Sequence, residues 1–180
     1  MKNKDYLLFD LDGTLTDPKE GITKAVQYAL KHYGIQVDDL DCLCPFIGPP
    51  LKDSFQKYYD FPEQQAKEAI QVYREYFSVT GWIQNKVFPG IPEMLGELKA
   101  AGKKLYLATS KPEVFAKRIL EHFDLASYFE FVGGADLEET RVRKGDVIQY
   151  VLDTCGLSDK KEKILMIGDR EHDVLGARKQ

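Results

Sequence analysis

The sequence lacks an excess of basic charge and any long apolar run. Its 180 residues include 25 lysines and arginines against 29 aspartates and glutamates, which gives a formal charge of −4 at pH 7. This balance provides no positive surface of the kind that binds a nucleic-acid polymer. No apolar stretch approaches the length of a membrane span, and the opening residues MKNKDYLL contain no secretory apolar region. We therefore expect neither a nucleic acid nor a membrane as a partner.

Cysteine is also scarce, with only Cys42, Cys44 and Cys155 in the chain. A chain of this length with 43% hydrophobic residues can bury a core without disulfide bonds. Cys42 and Cys44 have no further Cys or His pair at a spacing that would complete a metal site. We expect reduced thiols and hence a cytoplasmic protein.

What the sequence does contain is a series of short apolar segments that end in small or polar residues. Four of them are predicted as buried parallel strands, at Tyr6–Asp10, Lys104–Ser110, Phe129–Asp136 and Lys163–Asp169. Helical patterns accompany the later strands at Pro92–Ala101, Glu113–Phe123 and Asp146–Cys155. The alternation predicts an α/β fold with a doubly wound parallel sheet of the Rossmann-like kind.

The region between the first and second predicted strands has a different pattern. It contains no strand-like run, and apolar residues such as Ile22, Val26 and Ala29 recur at helical spacing. We predict two domains: an α/β core made of residues 1–16 and 87–180, and an inserted α-helical domain of residues 17–86.

Polar groups lie at or just beyond the ends of the predicted strands: Asp10, Asp12, Thr109, Ser110, Lys144, Asp169 and Asp173. In a parallel sheet the carboxyl ends of the strands meet at one edge. Carboxylates gathered there raise one another's pKa unless they share a cation. Because the ligands are oxygen atoms without His or Cys, Mg²⁺ is the ion they favour.

These residues carry a resemblance to a known family. Asp10-Leu11-Asp12-Gly13-Thr14, Thr109, Lys144 and Gly168–Asp173 resemble, in their usual order, the four motifs of the haloacid dehalogenase superfamily. The resemblance covers nearly the whole chain. Pro89–Pro112 is similar to the phosphoglycolate phosphatase-like branch, whereas Phe46–Phe55 and Glu139–Leu152 resemble a neighbouring group of 5′-nucleotidases and phosphatases.

The resemblance implies a Mg²⁺-dependent phosphatase that hydrolyses a small phosphate monoester through an aspartyl-phosphate. The implied catalytic residues are the nucleophile Asp10, the general acid–base Asp12, and Thr109 and Lys144. The implied phosphate-binding groups are the Thr109 hydroxyl, the Lys144 ammonium and the amides of Leu11, Asp12 and Ser110. Lys144 is also implied to neutralise Asp10. The implied metal ligands are the carboxylates of Asp10 and Asp169 and the carbonyl of Asp12, with Asp173 orienting the outer shell.

Residues 17–86 resemble the mobile helical cap of this superfamily. Pro49 and Lys52 belong to a loop, Gly48–Lys52, that resembles the specificity loop of the cap. Lys52 from this loop and Lys111 from the core are candidate contacts to a second anionic group of the substrate.

Two assignments have alternatives that the residues leave open. Arg141, Arg143 and Lys111 compete with Lys144 for the phosphate-binding role. Asp173 can instead cap the helix that follows it.

Single residues bear on three other possible functions. A β-phosphoglucomutase-like phosphomutase shares the core and the cap but holds a second phosphate partly with a cap-loop arginine, where this chain has Leu51. A dehalogenase proper lacks the second aspartate of the first motif. The presence of Asp12, together with Asp169, therefore argues against dehalogenase activity. A non-catalytic binding protein would tolerate loss of a motif residue, yet every one is present. The sequence indicates neither which phosphate ester is the substrate nor which oligomeric state the protein has.

The sequence ends at Gln180, part-way through the helix after the fourth motif, whereas members of the superfamily usually continue with another strand and helix. We expect the fourth strand to have an unpaired edge. We also expect the chain to melt at a lower temperature than a version extended by one strand–helix unit.

Overall fold

The computed structural model describes residues 3–138 and 140–179. Its strands are β1 (Tyr6–Phe9), β2 (Thr16–Asp17), β3 (Lys86–Val87), β4 (Lys104–Pro112), β5 (Phe129–Ala135) and β6 (Ile164–Ile167). Its α-helices are α1 (Lys19–His32), α2 (Leu51–Tyr59), α3 (Glu63–Tyr76), α4 (Ile91–Ala100), α5 (Glu113–His122), α6 (Lys144–Thr154) and α7 (Glu171–Arg178). Glu139, the first residue of the Glu139–Leu152 motif, lies outside the described residues, as do Met1, Lys2 and Gln180.

Four strands form one parallel sheet in the order β5-β4-β1-β6. At the end of β1, Phe9 is in register with Leu107 of β4 on one side and with Ile167 of β6 on the other. The carboxyl end of β1 therefore lies between β4 and β6, and the predicted α/β fold is confirmed. β4 extends to Pro112 rather than to the predicted Ser110, with an irregular register between Ala108 and Pro112.

Both faces of the sheet are covered, as the nearly continuous apolar strands require. On one face, Leu8 and Tyr106 pack with the α6 residues Val147 and Val151. Leu7 and Leu105, which alternate to the opposite face, are also fully buried. Helix α6 begins at Lys144 and not at the predicted Asp146, so that Lys144 is already part of its first turn.

The chain divides into two compact units, residues 1–16 with 87–180 and residues 17–86. The second unit is helical and contains α1, α2 and α3. Aromatic rings fill its interior: the Phe46 and Phe55 centroids lie 5.1 Å apart, and Phe55 stacks on Phe61 at 5.7 Å. That this unit acts as a mobile cap stays a prediction.

The edge strands of the four-stranded sheet are β5 and β6. The strands β2 and β3 form a separate two-stranded sheet. Among the described helices, none combines the length and the apolar composition that a membrane span requires.

Candidate active site

The chain leaves strand geometry directly after β1. The amide of Asp10 still donates to the carbonyl of Ile167 at 2.9 Å, but the Leu11 carbonyl accepts from the amides of Leu15 and Thr16 at 2.9 and 3.1 Å. These bonds close a tight turn, in which Gly13 has a φ of +83°. The turn holds Asp10 and Asp12 at the carboxyl end of the central strand, and both are buried.

Asp10 is paired with Lys144. The Lys144 ammonium lies 2.8 Å from Oδ1 of Asp10, and both side chains are less than one-tenth exposed. The same Asp10 oxygen accepts a hydrogen bond from the amide of Leu11 at 2.8 Å. One oxygen of the Asp10 carboxylate is thus held by both a cation and a backbone amide.

Lys144 reaches this position from the first turn of α6. Its ammonium donates to the carbonyl of Ala108 at 3.1 Å and lies 2.9 Å from Oδ1 of Asp173. Of the alternative cations, Arg141 donates from Nε to the carbonyl of Gly134 and stacks on the ring of Tyr150 at 3.7 Å. The fold thus brings Lys144 to Asp10, while Arg141 packs at the end of β5.

Asp12 is paired with a different lysine. The Lys111 ammonium lies 2.7 Å from Oδ2 of Asp12, with the two side chains 4% and 10% exposed. Oδ1 of Asp12 is buried and has no hydrogen-bond partner in the described part of the chain. Burial raises the pKa of the Asp12 carboxyl above its usual range, and the charge of Lys111 opposes this rise.

Asp169 and Asp173 bring two further carboxylates to Asp10. One carboxylate oxygen of each of the three residues lies within 4.8 Å of those of the other two. Asp173 also accepts the amide of Arg170 on Oδ2 at 3.1 Å, so it caps α7 while its other oxygen lies near Lys144. Both interpretations of Asp173 left open by the sequence are therefore compatible with its position.

The donor set of this trio fits a hard divalent cation. Each of the three residues offers a carboxylate oxygen, which is the kind of ligand that Mg²⁺ prefers. Glycines make the approach possible: a Cβ on Gly13 would lie 2.5 Å from Oδ2 of Asp169, and one on Gly168 would overlap the Asp173 carboxylate. The trio is a site that can hold a divalent metal ion.

Thr109 and Ser110 follow Ala108 in β4. Thr109 is 1% exposed, and its hydroxyl oxygen accepts the amide of Lys111 at 3.2 Å. Because that oxygen accepts from Lys111, the hydroxyl proton is left to donate to another acceptor. Ser110 is half-buried.

The specificity-loop residues lie in the second unit. Pro49 and Pro50 precede α2, and Pro50 is the residue before its first turn. The Lys52 ammonium lies 3.6 Å from Oε1 of Glu63, which also pairs with Lys67 at 3.0 Å. The predicted substrate contacts of Pro49 and Lys52 stay predictions.

Sequence reasoning missed several neighbours of the acidic residues. The Thr14 hydroxyl lies 3.5 Å from Oδ1 of Asp169, and Nε of Arg170 lies 3.3 Å from its Oδ2. The carbonyl of Ala108 as a Lys144 acceptor was invisible because backbone atoms carry no sequence signal. The Lys111–Asp12 pair had a weak signal: Lys111 stands two residues after Thr109, and alternate residues of a strand share a face.

Comparisons with known proteins agree with this geometry. The haloacid dehalogenase-like hydrolase family matches residues 7–180. A 5′-nucleotidase of Pseudomonas aeruginosa is 53% identical over 171 residues, covering 95% of this chain and 76% of that protein. The crystal structure of a predicted phosphatase from Clostridium acetobutylicum superposes with a TM-score of 0.94 at 51% identity, covering 98% of this chain and 81% of the other.

A third relative has a different name. The tyrosine-protein kinase PtkA of Mycobacterium tuberculosis is 40% identical over 176 residues, which is 98% of this chain but only 59% of that protein. Its name describes that longer protein.

The chain belongs to the haloacid dehalogenase-like hydrolase family. Within this family it is a phosphatase, so the predictions of family and of enzyme class are confirmed.

Proposed function

We propose that this phosphatase hydrolyses a small phosphate monoester with Mg²⁺ through an aspartyl-phosphate on Asp10. The observation that carries the proposal is the buried Asp10 carboxylate, 2.8 Å from the Lys144 ammonium and grouped with Asp169 and Asp173. Burying a carboxylate beside a lysine and two further carboxylates lowers the stability of the fold. Such clusters of buried charge are typical of functional sites.

In the first step a carboxylate oxygen of Asp10 attacks phosphorus, and the bond between phosphorus and the ester oxygen breaks. Asp12 gives its proton to the departing oxygen. In the second step water attacks the same phosphorus, Asp12 takes the proton of that water, and the acyl-phosphate bond breaks to release inorganic phosphate and restore Asp10. Splitting one displacement into two lets each step use the same acid–base residue.

The transferring phosphoryl group carries negative charge, and this chain offers fixed donors for it. The Lys144 ammonium and the Thr109 hydroxyl are both buried near strand ends. The buried residues Leu11 and Asp12 add the amides of the turn after β1, of which the Leu11 amide donates to Asp10 Oδ1. Ser110 adds the amide that follows Thr109. We assign phosphate binding to these groups.

Asp10 and Asp169, with the Asp12 carbonyl, would hold Mg²⁺, and Asp173 would orient them. When bound, the ion supplies charge that neutralises the phosphoryl oxygens. The remaining electrostatic work falls to Lys144, which is already fixed by Asp10, Asp173 and Ala108.

The substrate class rests on two supports. The 53% identical relative is named a 5′-nucleotidase, so nucleoside 5′-monophosphates are the first esters to test, with phosphoglycolate and sugar phosphates beside them. If residues 17–86 close as a cap, they admit only small esters and shield the site from bulk solvent, apart from the water that the second step uses. A cytoplasmic location with reduced cysteines accords with such metabolites.

The test is a panel of phosphate monoesters assayed for inorganic phosphate with Mg²⁺ and with EDTA, on the wild type and on Asp10→Asn. We expect Mg²⁺-dependent release, and a loss in the variant on the order of 10⁴-fold or more, as for removal of a catalytic nucleophile. Glu20→Gln, which removes an exposed carboxylate of the second unit, is the matched control and should keep full activity. Full turnover by Asp10→Asn would reject the nucleophile.

Two other outcomes would redirect the proposal. Transfer of phosphate between positions of a sugar phosphate, without net release, would favour the phosphomutase alternative. Transfer from ATP to a protein tyrosine, in place of ester hydrolysis, would favour the activity for which the mycobacterial relative is named.

A further inference from the structure

The site contains a second buried lysine that phosphate binding does not require. Lys111 is less than one-tenth exposed, and its ammonium lies 2.7 Å from Oδ2 of Asp12. Lys144 instead forms ion pairs with Asp10 and Asp173. The two acid residues of the first motif are thus paired with separate cations.

The two oxygens of Asp12 have different surroundings. Oδ2 is held by Lys111, whereas Oδ1 is buried without a hydrogen-bond partner in the described residues. A carboxylate held on one oxygen has a defined rotamer, and its other oxygen points in a fixed direction. That second oxygen is the one available to carry a proton to or from a reacting group.

Both ends of this contact are fixed by the backbone. On the Lys111 side, the amide of Lys111 donates to the Thr109 hydroxyl at 3.2 Å within the irregular end of β4. On the Asp12 side, the amide of Gly13 donates to the carbonyl of Thr16 at 2.8 Å. The lysine and the aspartate are therefore held in place before any substrate arrives.

We propose that Lys111 is a positioning residue that holds Oδ2 of Asp12, so that Oδ1 of Asp12 is the atom that delivers the proton to the leaving group. This inference rests on the proposed phosphatase mechanism. It replaces the expectation that Lys111 contacts a second anionic group of the substrate. Lys111 acts through Asp12 and touches no reacting atom.

The test compares esters that differ in their need for a proton. An alkoxide leaving group must be protonated as it departs, whereas p-nitrophenolate departs without a proton. The ratio kcat/KM reports the first chemical step, in which the leaving group departs. We would therefore measure kcat/KM for a simple alkyl phosphate, p-nitrophenyl phosphate and phosphoglycolate, with wild type, Lys111→Met and Lys111→Arg.

We expect Lys111→Met to lower kcat/KM for the alkyl phosphate by roughly 10–100-fold, as part of the ~10²–10⁴-fold that general acid catalysis provides. The loss on p-nitrophenyl phosphate should be less than about 3-fold, because that ester hardly uses the acid. Lys111→Arg, which keeps a cation near Oδ2, should recover most of the alkyl phosphate activity. Equal losses on both esters would overturn the proposal, since a general structural defect does not discriminate between leaving groups.

A double-mutant cycle with Asp12→Asn tests whether Lys111 acts through Asp12. In the Asp12→Asn background, Lys111→Met should cause no further loss on the alkyl phosphate. The double variant removes both charges of this pair, so neither is left buried without the other. If Lys111→Met alone unfolds, the comparison of wild type with Lys111→Arg, which keeps a cation near Oδ2, replaces the cycle. Additive losses would overturn the proposal, and so would a loss confined to phosphoglycolate, which would make Lys111 a substrate contact.

The proposed function fails separately from this inference. Wild type that releases no phosphate from any ester, with Mg²⁺ present, would reject the phosphatase mechanism. Active wild type with the wrong pattern in the Lys111 variants would reject only the role of Lys111.

Discussion

The two compact units treat charge in opposite ways. Among the described residues of the first unit, five charged side chains are buried: Asp10, Asp12, Lys111, Lys144 and Asp173. In the second unit the buried polar side chains among the described residues are the uncharged Thr23 and Ser54. Its ion pairs lie at the surface, as in Lys67–Glu63, where the side chains are 50% and 61% exposed.

The buried charges of the first unit and the exposed charges of the second unit therefore differ in their effect on stability. Removing a carboxylate or an ammonium from water costs several kcal/mol per ion, which pairing only partly offsets. An exposed pair has no such cost and contributes ~0–1 kcal/mol. Five buried charges at one sheet edge are therefore a stability cost that the proposed phosphoryl transfer explains.

Lys144→Met is expected to have the largest effect on stability and activity. The change leaves Asp10 and Asp173 buried beside each other without their shared cation. We expect the free energy of unfolding to fall by about 3–5 kcal/mol. We also expect phosphatase activity to fall by ~10²–10³-fold, as when one anion-stabilising donor is removed.

Chemical denaturation and steady-state assays measure the two effects of Lys144→Met. The control is Lys67→Met in the second unit, which removes an exposed partner of Glu63 and should change stability by less than about 1 kcal/mol. Equal stability losses in the two variants would remove the contrast between the units.

A smaller effect is expected from a pair of glycine substitutions. Gly13 in the first unit and Gly34 in the second both have positive φ, +83° and +76°. A Cβ on Gly13 would lie 2.5 Å from Asp169, whereas one on Gly34 meets nothing within 4 Å. Gly34→Ala should cost only the strain of the left-handed backbone, about 1 kcal/mol.

Gly13→Ala should add a functional defect to that strain. Displacing Asp169 misplaces a metal ligand, and such shifts can lower kcat by up to ~10²-fold. The Mg²⁺ concentration for half-maximal activity should rise as well. If Gly13→Ala and Gly34→Ala have the same activity, Asp169 does not depend on the close approach of the turn.

The smallest expected effect concerns an uncharged group of the first unit. Tyr106 is 5% exposed, and burial raises the pKa of its phenol from 10.0 to about 12. Its contribution to stability is complete below pH 10 and is lost as the pH rises through about 12, because the folded state retains a proton that the unfolded chain has released.

Tyr106→Phe should therefore lose less stability than wild type between pH 10 and pH 12. Urea titrations at several pH values give the comparison, and Tyr28→Phe, at an exposed position of the second unit, is its matched control. If the plots of unfolding free energy against pH are parallel for wild type and Tyr106→Phe, burial does not raise the pKa of the Tyr106 phenol.

Much of the fold could be predicted because its signals are local. The strands β1 and β6 are apolar runs followed within two residues by an aspartate, and their existence and parallel pairing follow from composition and spacing. The ends were less predictable: β4 continues to Pro112 and α6 begins at Lys144, since hydrogen bonds to neighbouring elements decide where each one stops.

The candidate site was predicted as a set of residues, and among the contacts within it only the pairing of Lys144 with Asp10 was expected. Its acidic members stood out because strand ends in a parallel sheet converge. The pairing of Lys111 with Asp12 was not predicted, because it depends on side-chain directions between distant segments and no local pattern encodes them.

By itself, the sequence determined the α/β class, the positions of the main strands and the residue types gathered at one edge, because periodicity and strand-end chemistry are properties of neighbouring residues. Only the tertiary structure decided that Lys144 also contacts Asp173 and that Lys111 holds Asp12. The reason is physical: a buried charge is stable only beside a partner in three dimensions, and that partner is chosen by the packing of distant segments.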